Sequence, residues 1–305
     1  MSIFLSLFGK IFPLYFMMLL GYLSTRFLNV SRESIASLLI YIISPVVMFS
    51  AALHVKIDVN IMMLPWLMFA ISTAFCFISY FFTKNIWKDG TSNILAYGAG
   101  TGNTGYFGIP LAIILFEPEV VNIYIFAILS SLLYESTVGF YIVARGSYTL
   151  KESILKVLKL PYLYTLNLGL LLNVLGFTPS LHVEQFLEYF KGAFAILGMM
   201  MIGMGLKGVK DIGFDFKFLS LSFGWKFLIW PIIIFSIIFL DKSLFNFFNE
   251  AIYKAMFIYA IVPLAANVVA VSILLKGSTE KASFAVFSST IFSLISIPLM
   301  CMLFL

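Results

Sequence analysis

The chain has 305 residues, 62% of them hydrophobic and 11% charged, with a formal net charge of +5. Soluble domains carry roughly 25% charged residues, so this composition excludes an ordinary soluble fold and makes the basic excess a property of membrane-flanking loops, not a nucleic-acid signal. The mean hydropathy is +1.05, and the two cysteines, Cys76 and Cys301, both in apolar runs, allow no disulfide framework and no zinc spacing.

A helix needs about 20 apolar residues to cross a bilayer. Ten such runs are predicted, giving an all-α integral membrane protein of ten transmembrane helices. The first covers residues 3–25 and is read as a span, not a removable signal. The second, 34–53, contains Ser44-Pro45, where proline removes a backbone bond and should bend the helix. The third is 61–83, the fourth 92–116 and the fifth 120–144. A basic stretch over 145–161, with Arg145, Lys151, Lys156 and Lys159 against Ile154, Leu155 and Leu158, reads as an interfacial helix. The sixth to tenth spans are 162–177, 186–206, 218–240, 251–275 and 282–305, the last three with Pro231, Pro263 and Pro298 inside.

The fourth span holds the most informative stretch, Gly100–Pro110, read as G-T-G-N-T-G-Y-F-G-I-P. Four glycines and a proline in eleven residues oppose a continuous helix. Broken backbone at membrane depth is tolerated only where it is buried in protein or lines a cavity. The stretch is therefore predicted to be a discontinuous helix forming part of a substrate site. The other reading is a Gly-rich helix packed closely on its neighbours.

Loops joining odd to even spans carry most of the lysines and arginines, among them Arg26, Arg32, Lys84 and Lys88 and the 145–161 linker. The positive-inside rule puts these loops in the cytoplasm and both termini outside, in the cytoplasmic membrane. Five spans is an odd number, so two halves of five, 1–144 and 162–305, must be inverted relative to each other. Leu20-Gly21-Tyr22-Leu23 recurs as Leu168-Gly169-Leu170-Leu171, and Pro110 in the fourth span has a counterpart in Pro263 of the ninth. Paired interruptions in two inverted halves point to a transporter binding site.

Several residues there could carry chemistry. Asn103 and Thr104 sit at the first break, where side-chain and freed backbone amides can hold a carboxylate or replace a hydration shell. Gly105, Tyr106 and Phe107 are placed to line a cavity. Asn267 follows Pro263 by one turn. Glu135 lies inside the fifth span, and an intramembrane acid is costly; a proton carrier, a sodium ligand and a structural partner are all open to it. Lys226, about nine residues into the eighth span and so near mid-bilayer, could attract an anion or pair with Glu135. Lys10 is near a helix end and reads as snorkelling, and His54 and His182 fall in outside loops. No phosphate-binding, metalloprotease or Asp-rich metal motif is present, which argues against an ATP-driven pump, a metal-dependent enzyme and any bound cofactor.

The Asn103–Leu111 stretch, N-T-G-Y-F-G-I-P-L, resembles the crossover motif of the auxin efflux carrier family. Pro13, Leu20–Leu23 and Arg26, the Ser44-Pro45 pair, Lys226-Phe227-Leu228 with Pro231, and Ile261-Val262-Pro263 are similar to other motifs of that family. The resemblance implies an inverted-repeat transporter with crossover helices, elevator-type motion and a homodimer in the lipid bilayer. It places Asn103, Thr104, Pro110, Pro263 and Asn267 in or beside the site. The reading it favours is a secondary transporter of a small organic anion such as malate, with proton or sodium coupling open. A sodium-coupled symporter of the bile-acid type and a non-transporting ligand sensor are the alternatives.

Overall fold

The computed structural model describes residues 3–143, 161–205, 214–274 and 279–304, and the secondary structure among them is entirely helical. The linker expected to be an interfacial helix lies outside the described residues. Seven helices are long and apolar enough to cross a membrane, and the chain is a multi-pass membrane protein. They are α1 (Ile3–Phe27), α2 (Arg32–His54), α3 (Val59–Thr83), α6 (Pro118–Val143), α8 (Leu181–Gly205), α9 (Phe216–Phe245) and α12 (Thr279–Phe304). A shorter helix, α7 (Pro161–Val174), occupies the sixth predicted span. The fourth and ninth predicted spans are each interrupted. The fourth divides into α4 (Thr91–Ala99) and α5, a π-turn Thr104–Gly108 continued by Ile109–Leu115. The ninth divides into α10 (Glu250–Ile261) and α11 (Asn267–Leu274).

The first interruption falls at the glycine end of the Gly100–Pro110 stretch and not at its proline. The helix stops at Ala99, and Pro110 lies buried within α5, past the break. Proline removes an N–H and crowds the carbonyl four residues back, and the wider π-turn accommodates that crowding without ending the helix. The same device precedes Pro45, at Leu39–Ile43, and Pro231, at Gly224–Ile229. Pro45 thus leaves α2 continuous. What breaks the fourth span is Gly100-Thr101-Gly102-Asn103 itself.

The helices pack through small residues where backbones approach. A Cβ at Gly21 of α1 would run into the backbone of Met200 in α8, and one at Gly203 into the backbone of Met18. Side-chain-free contact of this kind is how helices associate in lipid, where burial of apolar surface supplies no drive. Aromatic side chains fill the centre. Trp230, Tyr97, Tyr124, Tyr134 and Tyr259 are essentially fully buried, and each phenol or indole has a hydrogen-bond partner or a ring contact there. The two interruptions lie against one another in this packed centre.

Candidate functional site

The site is built from the two interruptions. The backbone N–H of Asn103 donates to the carbonyl oxygen of Pro263 at 2.8 Å, joining break to break. Each break leaves one helix ending into the crossing, α4 at Ala99 and α10 at Ile261, and one starting from it, α5 at Thr104 and α11 at Asn267. A helix end leaves four backbone groups without intrahelical partners, so the crossing concentrates free carbonyls on one side and free N–H groups on the other.

The carbonyl ends are satisfied from neighbouring helices. Trp230 Nε1 donates to the Ala99 oxygen at 2.8 Å, and the Tyr134 hydroxyl to the Tyr97 oxygen at 3.0 Å. Lys226 Nζ donates to the Tyr259 oxygen, in the last turn of α10, at 3.2 Å. The N–H ends face a cavity of about 270 Å³. Its wall includes Asn103, Thr104, Gly105, Tyr106, Ser131, Glu135 and Asn267, closed by Ile40, Ser44 and Met48 of α2 and Phe194 of α8. Tyr106 stacks obliquely on Phe194, ring centroids 6.0 Å apart.

Polar partners inside are specific. Both oxygens of Glu135 are engaged: Thr101 Oγ1 donates to one at 2.5 Å and Asn267 Nδ2 to the other at 2.6 Å. The carboxylate therefore ties α6 to both breaks. Asn103 Oδ1 accepts the Phe107 N–H at 3.3 Å and caps α5, while its Nδ2 is buried with no partner among the described residues. The Thr104 hydroxyl donates to Ser131 Oγ at 3.0 Å, and Ser131 in turn lies 2.6 Å from the Tyr259 hydroxyl. A buried amide donor without a partner among the described residues, a bonded carboxylate and the Thr104 and Ser131 hydroxyls thus belong to side chains of one cavity wall. No group of three or more His, Cys, Asp or Glu is clustered as a metal site among the described residues.

Of the residues singled out from sequence, Asn103, Thr104, Gly105, Tyr106, Asn267 and Glu135 line the cavity. Pro110 and Pro263 are buried beside it without lining it. Phe107 points the other way, fully buried with its ring 6.1 Å from that of Tyr15. Lys226 lies behind the breaks and does not pair with Glu135; its contact is a carbonyl. Lys191, within α8, is buried and donates to Asn122 Oδ1 at 3.3 Å and Glu188 Oε1 at 2.7 Å. Sequence reasoning missed Thr101, Ser131, Trp230 and Tyr259. Thr101 sat inside the Gly-rich motif and was legible; nothing in the sequence singled out the other three.

Residues 192–305 match the sequence model of the Sodium Bile acid symporter family. The matched segment holds Lys226, the 262–266 break and Asn267, and leaves out Asn103 and Glu135. None of the curated proteins compared matches the chain. The match overturns the resemblance to the auxin efflux carrier family, which is a distinct family. The reason is physical: glycine, asparagine and proline at a helix interruption are imposed by the broken backbone, so such motifs report the break and not the family. The elevator motion and the homodimer rested on that resemblance and lose its support. The match agrees with a transporter and not an enzyme, and it favours bile-acid-type symport over an auxin-carrier-like organic-anion carrier.

Proposed function

We propose that the chain is a cation-coupled secondary transporter that carries a small organic anion together with sodium. The observation that carries this reading is the position of Glu135, a carboxylate in the cavity wall bonded to Thr101 of the first break and to Asn267 at the N-terminal end of α11. Helix N-termini favour negative charge, each end being equivalent to about half an elementary charge. Half-helix N-termini are used by transporters to hold anionic substrate groups. With Glu135 ionised, that favourable field is already spent on the protein's own carboxylate. A bound cation at Glu135 frees it for a substrate anion, and that is the physical basis of symport.

The family match supports sodium as the cation. The cavity volume of about 270 Å³ falls just below the range of roughly 300–1,000 Å³ usual for drug-sized ligands, which supports a small solute. Asn103, a wall residue whose buried Nδ2 has no partner among the described residues, is the donor we assign to it. We read the chain as one transmembrane domain of ten crossings in two inverted halves. In support, the helices that end at the breaks stop at 99 and 261 and those that begin there start at 104 and 267, a repeat of nearly constant spacing. The cytoplasmic membrane and outward-facing termini follow from the loop charges.

The test is thermal unfolding of the purified protein in sodium against N-methylglucamine at constant ionic strength, for wild type and Glu135→Gln. Wild type should gain stability with sodium in a saturable way, and Glu135→Gln should not. Equal sodium responses in the two proteins remove Glu135 from the coupling role.

A further inference from the structure

The second charged group of the crossing, Lys226, has no carboxylate partner. It is 1% exposed, and among the described residues none of the ion pairs involves it. Its Nζ donates to the Tyr259 oxygen at 3.2 Å and stands 4.8 Å from the centroid of the Trp230 ring. The opposite face of the ammonium is Gly102. A Cβ there would come within 3.0 Å of Lys226 Cε and closer still to Nζ, so the glycine makes the room that the amine fills.

An unpaired buried charge is very costly, so an ammonium at this position needs a balancing charge. The backbone is able to supply one. The last turn of α10 gives its Tyr259 carbonyl to Nζ, and Gly102 beside the amine lies just past the end of α4; each helix C-terminal end is equivalent to about half a negative elementary charge. Together they offset one ammonium. The indole of Trp230 adds its negative ring face while its N–H caps the α4 end. The π-turn at Gly224–Ile229 is the local distortion that carries Lys226.

In transporters with interrupted helices, unwound carbonyls and half-helix C-terminal ends are the places that coordinate sodium or a proton. We infer that the Lys226 ammonium is a resident cation at the carbonyl side of the crossing, filling a position that would otherwise take a second coupling ion. Exchangeable cation binding is thereby confined to Glu135. The inference rests on the transport-site reading, and the experiment separates the two.

Lys226→Ala is placed in the Glu135→Gln background, which lacks the exchangeable site. The melting temperature of each full-length variant is measured against sodium, ethylammonium and N-methylglucamine at fixed ionic strength. The double variant should gain several degrees, saturably, with sodium or ethylammonium, and nothing with the bulky N-methylglucamine; Glu135→Gln alone should gain with none of them. A double variant that responds no more than Glu135→Gln overturns the inference. Should Lys226→Ala fail to fold, Lys226→Arg and Lys226→Met decide in the wild-type background: retained stability in the charged variant and loss in the uncharged one supports a resident charge, and equal stability defeats it. The response of wild type against Glu135→Gln reports separately on the coupling site.

Discussion

Replacing Asn103 by alanine separates a structural cap from a ligand contact. The side chain has two ends with opposite accounts. Its Oδ1 accepts the Phe107 N–H at 3.3 Å; losing an Asn cap costs about 0.5–2 kcal/mol, and a bond this long belongs at the low end. Its Nδ2 is buried without a partner, and an unsatisfied buried donor costs about 1–3 kcal/mol, which alanine relieves. The two effects oppose each other and the relief is the larger, so the empty protein should lose no stability and gain roughly 0.5–2.5 kcal/mol. With an anion in the cavity the account reverses, because Nδ2 then donates to a charged acceptor. Such bonds contribute about 1.5–3 kcal/mol, so the variant should bind about 10- to 150-fold more weakly. Thermal unfolding without ligand gives the first quantity. Titration with the small carboxylate that most stabilises wild type, in sodium, gives the second. An affinity changed by less than about threefold, alongside clear destabilisation of the empty protein, makes Asn103 a cap only and refutes its role in recognition.

Other consequences are directly measurable. Trp230→Phe removes the donor to the Ala99 carbonyl and should destabilise the protein by about 1–3 kcal/mol for the orphaned group alone, read from denaturant or thermal unfolding in detergent. Gly21→Val forces a side chain into the Met200 backbone; overpacking of this kind costs typically about 1–3 kcal/mol, and the loss should be matched by Gly203→Val at the other end of the same contact. Asp215 gives a pH dependence. Burial pushes its carboxyl up, but the Phe218 N–H at 3.0 Å, the Lys281 ammonium at 2.9 Å and the Trp87 N–H at 3.0 Å outweigh this and hold it below the usual carboxylate range. A depressed folded-state value means the contribution is present above the unfolded-state value, about 3.9, and is lost as pH falls through the folded one. Asp215→Asn should therefore flatten the acid limb of the stability profile below about pH 4 and leave the neutral limb's slope unchanged.

Much of the helix pattern was legible in the sequence, because a bilayer-spanning run announces itself by length and apolarity. The existence of both interruptions was legible too, from Gly100–Gly108 and Pro263. Their exact placing was not. Glycines and Pro110 were given the breaking role together, whereas a π-turn absorbs Pro110 and the glycines upstream stop the helix. Glu135 stood out because a carboxylate inside an apolar run is rare, and Asn267 because it follows a break; that they bond each other is a matter of tertiary contact 132 residues apart in sequence. Lys226 was noticed for its charge, with attraction of an anion and pairing with Glu135 both open; its hydrogen bond goes to the Tyr259 carbonyl, a backbone partner that a search among side chains overlooks. Trp230 and Tyr259 were invisible among so many aromatics. Short break motifs also led to the wrong family, because they encode backbone geometry that unrelated interrupted helices must share.

The charges of the crossing fix how much current transport should carry. In the proposed balance, the α4 and α10 ends, of about half a negative charge each, offset Lys226, and the α5 and α11 ends, of about half a positive charge each, offset Glu135. The empty site is thus close to neutral on both sides. A monoanion entering alone leaves an uncompensated buried charge, which is prohibitive. A monoanion entering with one sodium ion restores neutrality, so the loaded and empty forms cross the membrane field with the same net charge. Uptake of a labelled monocarboxylate by proteoliposomes, with the potential set by potassium and valinomycin, should then be indifferent to voltage at fixed sodium gradient. One uncompensated charge crossing 100 mV would feel about 2.3 kcal/mol, a driving-force ratio of roughly fiftyfold, so the distinction is large. Monocarboxylate accumulation that follows the imposed potential on that scale means a second mobile cation joins the first, and that outcome contradicts both the half-charge balance and the fixed ammonium of Lys226.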